Sequence, residues 1–470
     1  MKRASREALG AIGAAMTVSG DKAPLSASGI GSVNLSAHRA ARAHLNSREV
    51  RSSRRHVWAA AILTAVLSVR VHEAFPALAP LRPGLLSVIA ALVLLASNTS
   101  LKRLFVAVRL PAARWLLAFV LWSVLSVSTS LYGVIALETV IILLLGVVIF
   151  GAFLLIEPAP ASYHALSGVL VVAVVVVGIQ ALLGGFVQSG RVGTGGARDP
   201  NDFAALIAVT LPFAMAAALR SKRKVSTAIW LVGVCFLGVL LLQTGSRGGL
   251  IAACVSTVLY AARLPGRHRV LLFGLLIVLG TVGIRFVDDS ITARLMSITN
   301  LAGDYNSQSE TGRIAIWKRG WDYALDNPML GVGPGNFAQA EGARLARERL
   351  SGRWLTAHNT YVQVLVETGF PGALAYLGFV SGLFTMALRA WRPRVGKLAS
   401  RAYHPELFAS LSAFLISAIF LSHAYNHALF GLAGLIALGC RTRNGRSRGT
   451  SEPRQIGREA PPFGNRPAYR

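Results

Sequence analysis

Apolar residues fall along this chain in long, nearly unbroken runs separated by polar connections. The runs cover 57–72, 84–98, 113–130, 133–156, 164–187, 203–219, 226–243, 248–262, 270–287, 370–388, 406–421 and 428–440. Most approach the roughly 17–25 residues that a helix needs to cross a hydrocarbon core; the first, second and last are shorter. In lipid the backbone must satisfy its own hydrogen bonds, so these runs are expected to be helices. The alternating pattern of a membrane β-barrel is absent. The reading is an all-α polytopic membrane protein with about twelve transmembrane helices, and no short-period repeat is visible.

Two connections are longer than the rest, 188–202 and 288–357. The second has a pattern of its own: Ile314, Trp317, Trp321 and Leu325 recur at helical spacing. Thr311 can cap that helix and Asn327-Pro328 can end it. An amphipathic helix is expected there, lying on the membrane face or packed over the bundle. The organisation that follows is a tail over 1–56, nine helices within 57–287, a large loop over 288–357, a further helix and the last three spans within 358–440, and a tail over 441–470.

Charge assigns the sides. Only 14% of the residues are charged, 53% are hydrophobic and mean hydropathy is +0.54, yet the net charge is +28. In a soluble chain such an excess points to nucleic acid, but here the Lys and Arg residues alternate between connections. With both termini in the cytoplasm, 34 of 48 basic residues and 7 of 20 acidic ones fall on the cytoplasmic side, leaving 14 against 13 outside. That is the distribution of a multi-pass protein of the bacterial inner membrane, and it makes 288–357 a periplasmic loop. One connection, 157–163, has no Lys or Arg and is silent on sidedness. The basic tail 1–56 has no apolar stretch and reads as a disordered cytoplasmic segment rather than a cleavable signal, and 441–470 reads likewise. Cys235 and Cys254 lie inside apolar runs and Cys440 closes the last one, so no disulfide framework is expected.

Candidate chemistry gathers on the outer side in four stretches. Around Arg191 and Arg198, a glycine-rich loop leads into Asp199-Pro200-Asn201-Asp202, where Asp199 or Asn201 can cap the next helix with Pro200 in its first turn. The loop reads either as that capped turn or as two arginines placed to grip a phosphate. Arg247 sits in a tight Thr244-Gly245-Ser246-Arg247-Gly248-Gly249 turn, where it can snorkel to lipid phosphate or serve a ligand. Arg313 opens the third stretch, which continues into a Gly/Pro cluster, Pro328 to Phe337, that is first of all a turn. The fourth begins at His358: Asn359, Gln363 and Glu367 form one polar stripe at i, i+4, i+8, with Tyr361 one turn from His358 and Glu367 on the opposite face from it. A histidine there is either a hydrogen-bonded interfacial group or a base able to take a proton from a hydroxyl near neutral pH. His423, Tyr425, Asn426 and His427 read mainly as interface anchors; the two histidines have metal-ligand spacing but no acidic residue nearby in sequence, so no metal site and no cofactor is expected.

Five motifs in order, Arg198-Asp199-Pro200-Asn201-Asp202-Phe203-Ala204, Thr244 to Gly249, Gly312-Arg313 to Trp317, Pro328 to Phe337 and His358 to Gly369, resemble the O-antigen ligase and O-antigen/exopolysaccharide polymerase family, as do the helix count and the late periplasmic loop. The likeness spans about 190–372; the first half matches only as a hydrophobic profile. It implies a glycosyltransferase that takes glycan from undecaprenyl diphosphate and passes it to lipid A–core (ligase) or to a second lipid-linked glycan (polymerase). It implies His358 as the essential loop histidine, Arg191 or Arg198 with Arg247 and Arg313 as diphosphate-holding residues, and Asn359, Tyr361 and Glu367 as supporting residues. The implied partners are the lipid-linked donor, the saccharide acceptor, membrane lipids and a chain-length regulator, with no nucleic acid. The rival from another class is a transporter or flippase of lipid-linked glycans. It predicts ionisable residues within the spans, whereas here the spans hold little charge beyond Glu138 and the polar residues gather outside.

Overall fold

The structure, a computed structural model, describes residues 54–95, 108–185, 187–188, 190–194, 199–283, 285, 287–296, 309, 312–348, 354–392 and 403–445. Both tails, Arg198 and Thr311 lie outside the described residues. Helix α1 runs over 54–63 and continues as a π-helical turn, Thr64–Ser68. The following helices are α2 (Pro83–Leu95), α3 (Pro111–Ser126), α4 (Gly133–Leu155) and α5 (Pro160–Leu183). A two-rung hairpin of β1 (Val187–Gln188) and β2 (Arg191–Val192) precedes α6 (Pro200–Arg220), α7 (Lys224–Gln243), α8 (Arg247–Ala261) and α9 (Gly266–Gly283). The loop region carries α10 (Asp289–Met296), α11 (Arg313–Asp326) and α12 (Phe337–Arg347), and the chain closes with α13 (Thr360–Trp391), α14 (Pro405–Ser417) and α15 (His427–Gly445).

Each of the twelve runs read from the sequence overlaps one of these helices. Seven helices among the described residues are long and apolar enough to cross a membrane, with shorter apolar helices beside them. The protein is an all-α polytopic membrane protein. Large apolar side chains such as Val134, Val225 and Val270, each 73% exposed, would be a fault in water. Around a bundle in lipid they are the expected surface, because burial there gains nothing over contact with acyl chains. Helix α6 is the exception: 83% of its apolar window is buried, so it forms the central post, packed by α7, α8, α14 and α5. Around it α13 packs along α3, and α15 along α4.

The hairpin departs from the sequence reading, which finds no strand before the glycine-rich loop. Gly190, at φ 76°, lets the chain reverse, and Val187 then pairs with Val192 across the turn. Such a two-residue ladder is too short to leave an alternating pattern.

The loop region has a small core of its own, formed by Ile316, Tyr323, Ala324, Val332, Phe337, Ala340, Ala357 and Val366. Helix α11 exists as expected and ends at Asp326 before Asn327, with Gly312 at its N-cap. Of the two placements expected for its apolar stripe, the structure favours the outward one. Ile316, Gly320, Tyr323 and Ala324 are buried, whereas Ile314, Trp321 and Leu325 are 41%, 52% and 55% exposed. Trp321 meets the exposed Phe370 of α13 edge-on, ring centroids 6.2 Å apart, so the outward stripe joins the lipid-facing surface of that helix. A helix packed on one face and apolar on the other fits the membrane boundary. Helices α11 and α12 are tied by the fully buried Glu341, which takes Arg319 Nε at 2.9 Å and Tyr323 Oη at 2.7 Å.

Between them, the segment Pro328–Asn336 docks onto a break in α13. Gly369 has φ 67°, ψ −175°, which interrupts the helix and leaves carbonyls without their usual partners. The docked loop supplies donors: Val332 N to Val366 O at 2.9 Å and Gly333 N to Glu367 O at 3.0 Å, while Phe370 N returns to Pro328 O at 2.8 Å. The Glu367 carboxylate accepts Gly335 N at 2.9 Å and Phe337 N at 3.3 Å. Trp122 Nε1 donates to Thr368 O at 3.0 Å, and Asn336 pairs with the backbone of Tyr132. The glycines are required by contact as well as by conformation: a Cβ on Gly335, at φ 75°, would lie 2.1 Å from Thr139 Oγ1.

This docking separates two costs that glycine avoids. Gly185 also has positive φ, at 61°, but a Cβ there meets nothing within 4 Å. Gly185→Ala should cost only the backbone term, about 1–2 kcal/mol. Gly335→Ala adds overpacking and should cost about 1–3 kcal/mol more. Apparent unfolding temperatures of the two purified variants in nanodiscs measure the difference; equal shifts would show that the docked loop has room to yield.

Candidate functional site

The first site residue is set by the cap of α6. Asp199 Oδ1 accepts the backbone N–H of Asn201 at 2.7 Å and of Asp202 at 2.9 Å, with Pro200 opening the helix. This fits the capped-turn reading and frees the Asn201 side chain for another task. Its Oδ1 accepts Arg191 Nη2 at 2.8 Å, while Arg191 Nε donates to Thr244 O at 2.6 Å. Thus the hairpin, the start of α6 and the α7–α8 turn are joined through one guanidinium.

The α7–α8 turn is built for that contact. Ser246 caps α8 by accepting Gly249 N at 3.3 Å, and Gly245 takes φ 57°. Gly249 lies so near α6 that a Cβ would stand 2.4 Å from Ala204 Cβ, which brings the two helix starts together. Arg247 opens α8, half-buried. Arg294 of α10, not singled out by the sequence reading, donates from Nε to Gly245 O at 3.2 Å. A lone arginine in a polar loop gives no sequence signal; only the fold brings it here.

Positive charge is concentrated at this point. Burial and the neighbouring Arg294 pull the Arg191 guanidinium down from its ordinary range to about 10, with Arg313 adding to the effect and Asp199 opposing it. Arg191 therefore remains charged at pH 7, in surroundings that favour an anion.

His358 faces the same field. It precedes Asn359, whose Oδ1 accepts Tyr361 N at 2.9 Å and Val362 N at 3.1 Å and so caps α13. Trp317 Nε1 holds the preceding carbonyl, Ala357 O, at 2.9 Å. Between these restraints His358 adopts φ 45°, a left-handed conformation that costs a non-glycine residue about 1–2 kcal/mol. Its Nε2 lies 3.3 Å from Thr356 Oγ1. Burial, then Arg313, hold the imidazole below its ordinary pKa, against a smaller opposite pull from Asp199 and Asp202. The ring is thus neutral at pH 7 and able to accept a proton.

The rest of the polar stripe has structural partners. Tyr361 Oη donates to Leu415 O at 3.1 Å, and Gln363 bridges Glu367 Oε1 and Ala424 N, each at 3.4 Å. Glu367 holds the docked loop. The expected pairing of stripe and chemistry therefore narrows to His358 itself, because the broken helix demands the other polar groups for its own backbone. His423 also departs from its reading as an anchor. Its Nε2 lies 2.7 Å from Asp202 Oδ1, and its N–H donates to Thr360 Oγ1 at 2.9 Å. The separation of 221 positions between Asp202 and His423 hides this pair from any local pattern.

Residues 232–377 match a family model described as O-antigen ligase. The match takes in Arg247, Arg313, His358, Asn359, Tyr361 and Glu367 and supports the resemblance to the O-antigen ligase/polymerase family; Arg191 and Arg198 lie before it. No curated protein matches the chain.

The field at His358 is testable. Removing the charge of Arg313 stabilises the protonated imidazole, so Arg313→Gln should raise the His358 pKa, with the effect of burial remaining. Nitrogen-15 histidine NMR in nanodiscs, with His358→Asn for assignment, follows the titration. A midpoint that stays fixed in Arg313→Gln would remove Arg313 from the site.

Proposed function

We propose that the protein is a membrane glycosyltransferase of cell-surface polysaccharide biosynthesis. It moves glycan from undecaprenyl diphosphate to a saccharide acceptor on the periplasmic face of the inner membrane, as O-antigen/exopolysaccharide polymerase or O-antigen ligase. The observation that carries this reading is the gathering of Arg191, Arg294 and Arg313, with the half-buried, neutral His358 in the field of Arg313. The family match over the same region supports it.

Each part of the chemistry has a candidate group. The donor's leaving group is a lipid diphosphate, which gains negative charge as the anomeric C–O bond breaks. Arginines fixed beforehand by backbone and side-chain contacts stabilise that charge as it forms, without reorganising. Arg191, Arg294 and Arg313 supply this, with Arg247 at the adjoining helix start and Arg198 as a further candidate in the same loop. The acceptor is a sugar hydroxyl. As its oxygen bonds to the anomeric carbon its proton passes to His358, so one displacement forms one bond, breaks one and inverts the carbon. Asn359 and Tyr361 hold the backbone that aims the ring, and Glu367 fixes the helix beneath it.

The donor's lipid also has a place. An apolar furrow of about 500 Å³, lined by Leu241, Leu242, Leu250, Phe273 and Leu276, extends to Leu295, next in the chain to Arg294. A tail lying there would hold its diphosphate beside the arginines.

The protein in nanodiscs, given an undecaprenyl-diphosphate-linked oligosaccharide with and without lipid A–core, tests the reading through product mobility and mass. A ladder without the core means polymerase; a single shift of the core means ligase. Loss of the base in His358→Ala should lower turnover about 10²–10⁴-fold. Arg247→Ala, losing one stabiliser of the leaving group, should lower it about 10²–10³-fold. No product, together with passage of labelled donor across the bilayer, would replace this reading with a transporter; a product that retains anomeric configuration would overturn the one-step displacement.

A further inference from the structure

A second cavity adjoins the first site through Asp202. It measures about 390 Å³ and is lined by Arg70, Glu73, Asp202, His423, Asn426 and His427, where the end of α1 meets the start of α6 and the α14–α15 turn. Ile142, from within α4, also lines it, so the cavity reaches below the helix ends. A polar cavity at that depth is costly unless something polar occupies it.

The walls are not self-sufficient. His72 Nδ1, Ser422 Oγ and His423 Nδ1 are buried and, among the described residues, have no hydrogen-bond partner. All three residues line this cavity. His423 is only 6% exposed, and its other nitrogen is taken by Asp202. Buried polar atoms left without partners are destabilising, so the side chains that carry them gain by turning toward a polar occupant of the cavity.

Charge decides what kind of ligand. Arg70 is ion-paired with Glu73, and Asp202 lies against His423. The cavity thus has donors and acceptors in close alternation and no excess of cations. An anion belongs on the other side of Asp202, among Arg191, Arg294 and Arg313. A neutral, hydroxyl-rich ligand belongs here.

We propose that this cavity is a saccharide-binding subsite that holds the acceptor, with Asp202 on the wall between it and His358. It rests on the transferase reading for the word acceptor; that the cavity takes a saccharide does not. A one-step inversion needs the acceptor oxygen on the face of the anomeric carbon opposite the diphosphate, so donor and acceptor need separate seats. Arg70, at φ 61°, is held in a left-handed conformation where α1 ends, as expected of a backbone shaped around a site.

Saturation-transfer NMR on the full chain in nanodiscs tests binding with two soluble probes, a lipopolysaccharide core oligosaccharide and an O-antigen repeat-unit oligosaccharide. Gly84 lines the cavity and a Cβ there has no neighbour nearer than 3.8 Å, so Gly84→Trp fills the space without strain at its own backbone. Glu73→Gln removes one charged acceptor. At least one probe should bind the native protein, and either substitution should weaken that binding about ten-fold, while both variants unfold at the native temperature. In the transfer assay the same variants should raise the acceptor KM about ten-fold and leave the donor KM unchanged. Should Gly84→Trp fail to fold, Glu73→Gln alone decides. Absence of binding to the native protein, or binding that neither variant weakens, overturns the subsite. Binding as expected without any transfer leaves the saccharide subsite standing and removes the transferase reading. Transfer with an unchanged acceptor KM in both variants does the reverse.

Discussion

The break in α13 at Gly369 is the constraint on which the rest is built. A helix entering lipid cannot leave carbonyls unpaired, and this one is interrupted where the membrane boundary is expected. The loop Pro328–Asn336 resolves the problem by bringing N–H groups to Val366 O and Glu367 O. Glu367 adds a carboxylate, buried to 1% exposure, that gathers two further N–H groups of the loop. Everything above the break inherits its position from this contact: α11 and α12 pack against the upper turns of α13, and the cap that begins those turns adjoins His358. A residue that would bear the chemistry is therefore aimed by hydrogen bonds made a few turns away.

The same logic explains why so polar a helix start is tolerated. Asn359, Tyr361, Gln363 and Glu367 look costly together, and each is satisfied by a backbone group or by another member of the set. His358 is different. It is half-buried, held at a backbone angle it would not choose, and placed in the field of Arg313. Strain that packing does not require is most economically assigned to function.

Much of this was legible in the chain. Each apolar run overlaps a helix among the described residues, because lipid permits few alternatives. The Pro200 cap, the Gly/Pro turn and the end of α11 at Asn327 were readable because capping and turn chemistry are local. The face of α11 was not. Periodicity marked Ile314, Trp317, Trp321 and Leu325 as an apolar stripe but left open whether it lay on the membrane face or over the bundle, because at a membrane boundary two faces can be apolar, one against protein and one against lipid. Nor could periodicity show that Arg294 joins Gly245, or Asp202 joins His423, since these partners lie far apart in the chain.

The two ends of the bundle show how a structural cluster differs from a site. At one end Glu406, 1% exposed, takes Arg220 Nη1 at 2.5 Å and Tyr163 Oη at 2.8 Å, with His404 Nδ1 3.3 Å away. One acid meets one guanidinium, and the remaining lone pairs have donors. Such a group locks α5, α6 and α14 together and asks for nothing further. At the other end Arg191 lies in the field of Arg294 and Arg313 as well as in that of Asp199. Asp199 is occupied by the cap of α6 and Asp202 by His423. Like charges in a partly buried place repel, and a protein seeking stability alone would not gather them. Their proximity would be eased by an anion, which is the electrostatic ground of the proposed reading.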